Sequence, residues 1–167
     1  EKSVDRQAFR FVQPVQANAL RLRLNATYGT NHYYFGEIEV FEVPARAPTP
    51  SIISDLAVNV VSPGLGGSLV RYPDAASGSW GDLLLDGKSE AGWISPEGAR
   101  GEQAFTFAFR DFDTALVKDI ELVALANSDT VPPSDMRVEY TLGENPAGPY
   151  ELIGTAQLKF ENGLDSI

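Results

Sequence analysis

Leu20-Arg21-Leu22-Arg23-Leu24 places a leucine at every second position and a guanidinium between each pair. Successive side chains of an extended chain point to opposite faces, so this stretch reads as a β-strand with one dry and one wet face. The same period recurs in Phe105-Thr106-Phe107-Ala108-Phe109 and in Met136-Arg137-Val138-Glu139-Tyr140-Thr141-Leu142. Further strands are expected at 9–12, 35–42, 117–126, 150–153 and 156–160. Turn signals punctuate them, among them Ser62-Pro63-Gly64, Pro132-Pro133-Ser134-Asp135 and Gly143-Glu144-Asn145-Pro146. No amphipathic stretch is long enough for a helix. Many short strands with Gly/Pro punctuation predict an all-β fold, a β-sandwich of the jelly-roll kind.

The length of 167 residues suits about one domain. With 43% hydrophobic and 22% charged residues, the chain has the composition of a folded protein. Its net charge of −10, without a basic block, argues against nucleic acid and anionic lipid as partners, and favours a neutral or cationic one. Cysteine is absent, which excludes a disulfide frame and thiolate chemistry. No apolar run approaches the roughly 20 residues that span a bilayer. Residue 1 is Glu, which suggests a processed chain or a fragment.

Three prolines fall within Val43-Pro44-Ala45-Arg46-Ala47-Pro48-Thr49-Pro50, a composition that reads as an extended connector. We take 44–54 as this linker, between a first part at 1–43 and a second at 55–167. The first part is too small to bury a core alone, so it must pack against something else.

The order of features in the second part resembles the front of a discoidin, or coagulation-factor C-type, domain. Leu85-Asp86-Gly87-Lys88-Ser89-Glu90-Ala91-Gly92-Trp93 is similar to that family's Asp-Gly loop, with a tryptophan seven residues after the aspartate. The strand at 103–109, the core strand at 117–125, and Gly148-Pro149-Tyr150-Glu151-Leu152-Ile153-Gly154 after the strand at 136–142 follow in the family's order. The first part resembles the back of the same domain. Phe11-Val12-Gln13-Pro14 leading into the arginine-bearing strand, and Gly36-Glu37-Ile38-Glu39-Val40-Phe41, are similar to its closing strands. The family's ending thus precedes its beginning. Three arrangements fit: a circular permutant closed through the connector, a slice across two tandem copies, or N-terminal strands that complete a neighbouring chain.

The resemblance implies a galactose-binding-like jelly roll, similar to family 32 carbohydrate-binding modules. It implies a non-catalytic carbohydrate-binding or adhesion module of a larger extracellular, cell-surface or periplasmic protein, with a glycan or a cell-surface protein as partner. The alternative is an assembly module that binds protein partners or its own copies by strand complementation. Membrane lipid, the ligand of coagulation relatives, ranks below both because the acidic charge opposes it.

In sugar-binding relatives the Asp-Gly loop and the first glutamate of the closing strand hold a structural Ca2+. These positions correspond here to Asp86, the carbonyls near Lys88 and Ala91, and Glu37. Relatives carry a Thr or Ser where this chain has Ala91, and a metal-free Asx turn at Asp86 is the competing reading. Asn31-His32-Tyr33-Tyr34 falls where relatives display an aromatic platform, and Arg71, Tyr72 and Trp80 fall in a loop region bordering the same rim. Aromatic faces suit the C–H face of a sugar ring, while His, Asn and Arg hydrogen-bond its hydroxyls. The competing reading makes Tyr34 and Trp80 packing residues; Trp93 is expected in the core. His32 is the lone histidine, no hydrolase or phosphate-loop motif occurs, and acidic pairs such as Asp111 and Asp113 arise by chance in so acidic a chain. Catalysis is not expected. Asn25-Ala26-Thr27 matches a glycosylation sequon, which has meaning only in a eukaryotic secretory host.

Overall fold

A computed structural model describes residues 3–25, 32–43, 58–88, 92–99, 101–126, 130–131 and 135–158. The strands are β1 (Ser3–Ala17), β2 (Ala19–Asn25), β3 (His32–Phe35), β4 (Glu37–Glu42), β5 (Val58–Asn59), β6 (Ser68–Arg71), β7 (Trp93–Ile94), β8 (Gln103–Ala108), β9 (Ala115–Ala126), β10 (Thr130–Val131), β11 (Asp135–Thr141) and β12 (Glu151–Gln157). They form a four-stranded sheet in the order β1-β9-β4-β5, a five-stranded sheet in the order β12-β11-β2-β8-β6, and a small sheet β10-β3-β7. Every pair is antiparallel except β10 with β3. The architecture is all-β and sandwich-like, and among the described residues its helical pieces are short 3₁₀ turns.

The period-2 stretches drive this arrangement. Leu20, Leu22 and Leu24 of β2 are buried with Phe105 and Phe107 of β8 and Met136 and Val138 of β11. From the other large sheet, Ile38 and Val40 of β4 and Val117, Ile120 and Leu122 of β9 join the same cluster. One apolar interior therefore lies between the sheets. Truncating a buried aromatic in such a site typically costs about 3–5 kcal/mol.

The intervening residues of the five-stranded sheet fall on its outer face. There Glu139, although buried, accepts from Arg21 Nε at 2.6 Å and Arg23 Nε at 3.1 Å, with Arg137 Nη2 at 3.5 Å. Arg23 also reaches Glu102, and the Tyr150 ring stacks 4.0 Å from the Arg21 guanidinium carbon.

At Asn18 the chain passes from one large sheet to the other. The buried Asn18 N–H donates to the Thr141 carbonyl and its carbonyl accepts from Phe109 N–H. Its Nδ2 donates to the Phe112 carbonyl at 2.6 Å and its Oδ1 accepts from Thr114 Oγ1 at 3.0 Å. A corner with every polar group satisfied avoids the desolvation cost of a buried amide.

Several element boundaries differ from the sequence expectation. The strand expected at 9–12 runs over the whole of Ser3–Ala17, broken in register between Arg10 and Val15, where Pro14 has no N–H to donate. The stretch 35–42 is split at Gly36, so its two ends serve different sheets. Strands expected separately at 150–153 and 156–160 are one strand up to Gln157, because Gly154 pairs with Val138 and the extra residue, Ile153, is taken up as a bulge between Val138 and Glu139 instead of a turn. Residues 159–160 lie outside the described residues, as does the expected linker at 44–54.

Gly92 is the tightest of the described glycines. A β-carbon there would lie 1.8 Å from the Phe35 carbonyl oxygen and 2.7 Å from the Gly36 α-carbon, both backbone atoms that cannot swing away. Gly154 has open space at the same point. We expect Gly92→Ala to lower the thermal midpoint sharply or prevent folding, and Gly154→Ala to leave it within a few degrees. Equal midpoints for the two variants, measured by circular dichroism, would contradict this packing.

Candidate functional site

The Asp-Gly loop begins where a 3₁₀ turn, Gly81–Leu84, ends in the buried Leu84 and Leu85. These leucines anchor the turn and leave Asp86, Gly87 and Lys88 exposed. Asp86 Oδ1 accepts from Lys88 N–H at 2.8 Å, an Asx turn. Glu37, the first residue of β4, faces this loop and accepts the Gly87 N–H on Oε1 at 3.3 Å. It is only 2% exposed, and its Oε2 has no hydrogen-bond partner among the described residues.

Burial pushes the Glu37 carboxyl up to about 7; the charges of Asp86 and Glu39 add to the rise, and the Gly87 and Lys88 N–H groups oppose it. The Tyr34 hydroxyl is raised by burial and by Asp86, which places this tyrosine within the electrostatic reach of the loop. Glu37 and Asp86 thus converge. An orphaned buried carboxylate oxygen beside an exposed aspartate and a loop rich in carbonyls is the donor chemistry a hard cation takes. Lys88 contributes its backbone to the loop, while Ala91 lies outside the described residues. No cluster of three or more His, Cys, Asp or Glu side chains suited to a metal occurs among the described residues.

The expected aromatic platform is arranged differently. Asn31 lies outside the described residues, and His32, Tyr33 and Tyr34 belong to β3 and not to a loop. Tyr33 is 5% and Tyr34 8% exposed, because β3 is enclosed between β10 and β7. The His32 Nδ1–H donates to the Ser95 carbonyl at 2.8 Å, which assigns the proton to that nitrogen. Tyr33 and Tyr34 are therefore interior residues and do not form an exposed platform.

The exposed aromatics among the described residues are Trp80, 62% accessible, and Tyr72, 41% accessible. Their loop is braced against the core. Trp93 Nε1 donates to the Pro73 carbonyl at 3.3 Å, Ala76 N–H to the Ile94 carbonyl at 2.8 Å, and Ser79 Oγ bridges the Gly92 carbonyl and the Ile94 N–H. Gly81 lets the Tyr72 ring lie on the backbone beside Trp80: a β-carbon at 81 would come within 2.7 Å of that ring. Arg71, at the end of β6, is exposed and forms no ion pair among the described residues. Sequence reasoning placed Tyr72 and Trp80 on the rim but did not separate them from Tyr33 and Tyr34, because an aromatic residue in a short polar stretch carries no periodic signal of its face. Asp111 and Asp113 sit at an exposed 3₁₀ turn. No helix of the described residues is long and apolar enough to cross a membrane.

The Glu37 shift has a measurable consequence. A carboxyl whose folded pKa exceeds its unfolded value binds more protons in the folded state, so stability falls as pH rises from about 4.5 to about 7. At about 1.4 kcal/mol per unit, the loss above pH 7 is on the order of 3 kcal/mol. In the presence of a chelator, Glu37→Gln is expected to remove this decline and leave the protein more stable than wild type at pH 8. Parallel pH profiles of urea midpoints for the two proteins would contradict it.

Compared with family models, with curated proteins and with solved structures, the chain gives no match.

Proposed function

We propose that this chain is a non-catalytic carbohydrate-binding module, a galactose-binding-like jelly roll of the discoidin type acting in a larger extracellular, cell-surface or periplasmic protein. The observation that carries the reading is the exposure of Trp80 beside Tyr72 on a loop held at several points, in a chain whose other tryptophan is fully buried. An apolar ring left in water on a rigid support is poised to cover the apolar face of a ligand with little ordering cost. A pyranose offers such a face, and the Arg71 guanidinium, exposed and without an ion pair among the described residues, supplies donors for ring hydroxyls.

Calcium is the proposed cofactor, held by Glu37, Asp86 and loop carbonyls. Glu37 and Asp86 would hold the ion from β4 and from the Asp-Gly loop, and its chemistry would be charge neutralisation of the buried Glu37 carboxylate. Asp86 and Trp80 flank the same 3₁₀ turn, so fixing one end limits the motion of the other.

A glycan array followed by calorimetry on the best binder tests the reading. Trp80→Ala is expected to weaken binding at least tenfold, about 1.4 kcal/mol, with the thermal midpoint unchanged because the side chain is exposed. Absence of glycan binding by the wild type, or wild-type affinity in Trp80→Ala, overturns it. For the cation, millimolar Ca2+ at pH 7.5 is expected to raise the midpoint of the wild type by several degrees and to leave Glu37→Gln unmoved; no shift in the wild type removes calcium from the proposal.

A further inference from the structure

We propose that residues 3–42 are an exchangeable arm, and that a second copy of this chain accepts it in place of its own. The inference goes beyond the carbohydrate reading and stands whether or not Trp80 meets a sugar.

The strand ladders carry it. Of nine ladders among the described residues, seven join β1, β2, β3 or β4 to a strand of 58–158, and the other two, β11 with β12 and β6 with β8, lie within 58–158. No ladder joins two arm strands. The consecutive arm strands are dealt out to different sheets, and among the described residues each finds its ladder partners on the rest of the chain.

The remainder is equally incomplete without the arm. Removing β2 separates β8 from β11 and divides the five-stranded sheet into two pairs. Removing β1 and β4 strips β9 of both neighbours. A β-strand with unpaired edges and an exposed apolar face recruits whatever strand fits. The segment that fits best is the arm itself, and every other copy carries one.

The connection permits exchange. Glu42 and Val58 are paired neighbours, yet 15 residues join them. Adjacent strands are about 5 Å apart, whereas 15 extended residues reach up to about 50 Å. The connector therefore reaches a neighbouring copy as well as its own chain without strain. Closed and exchanged forms make the same ladders, the same core and the same ion pairs, Arg10 with Asp119 and Arg23 with Glu102 included. The connector gives closure within one chain the advantage of a high effective concentration, so exchange gains ground as the protein is concentrated.

The chain lacks cysteine, so cross-linking reads the exchange directly. Ala8 of β1 lies opposite Glu121 of β9, and paired positions of an antiparallel ladder are within disulfide range. Full-length Ala8→Cys and Glu121→Cys proteins are unfolded together, refolded at high concentration and oxidised. The expected result is a disulfide-linked dimer, several-fold more abundant than in either variant refolded alone. The double variant in one chain should close a disulfide within the monomer when refolded at low concentration. Dimer in the mixture no greater than in the single variants overturns the proposal, and so does failure of the double variant to close, since the ladder it relies on would then be absent.

Discussion

Three rings from three parts of the chain meet at the centre of the protein. Phe35 and Trp93 stack with centroids 6.1 Å apart, Phe105 meets Trp93 edge-on at 5.0 Å, and Phe105 meets Phe35 edge-on at 5.7 Å. The arrangement requires β7 to lie close against β3, which is why position 92 tolerates no side chain. Edge-to-face contacts of this kind add roughly 0.5–1.5 kcal/mol to the burial itself. Trp93 then transmits the core's rigidity outward through its indole N–H to Pro73, at the foot of the loop that carries Trp80. The exposed loops are therefore extensions of the interior.

Two buried glutamates show how differently the same side chain is used. Glu139, on the outer face of the five-stranded sheet, is surrounded by the guanidinium groups of Arg21, Arg23 and Arg137, so its charge is offset by hydrogen-bonded cations. Glu37 has no cation among its named partners. It faces an acidic loop with one oxygen unsatisfied, and burial drives its carboxyl towards the neutral form. Alternation of Arg and Glu along β2 and β11 makes the first site structural. The second violates local electrostatic consistency, and such violations collect where a protein binds something.

The all-β class was legible because period 2 is written directly into Leu20-Arg21-Leu22-Arg23-Leu24 and into 136–142. The pairing of Glu37 with the Asp-Gly loop was legible only through a family resemblance, since 50 residues of sequence separate Glu37 from Gly87. The small sheet escaped notice. β5, β7 and β10 are two residues long, too short for alternation to register, and they exist because longer strands present them with partners. For the same reason the segment from His32 to Tyr34 reads as a polar loop. Only tertiary pairing with β7 and β10 makes it a buried strand. Boundaries such as the continuity of β12 through Gly154 depended on a bulge, which a single sequence does not announce.

The topology also determines what the candidate site is made of. Glu37 comes from the arm, whereas Asp86, Tyr72 and Trp80 come from the rest of the chain. The meeting of Glu37 with the Asp86 loop is a consequence of β4 pairing with β9 and of the turn at Gly81–Leu84 packing near β4. A site assembled this way exists only when arm and body have docked, so the proposed cation would stabilise the docked state by mass action. In an exchanged dimer each site would draw Glu37 from one copy and Asp86 from the other. A cation or ligand spanning them would then strengthen the contact between copies as well as the fold of each, which couples occupancy of the site to assembly through one set of strands.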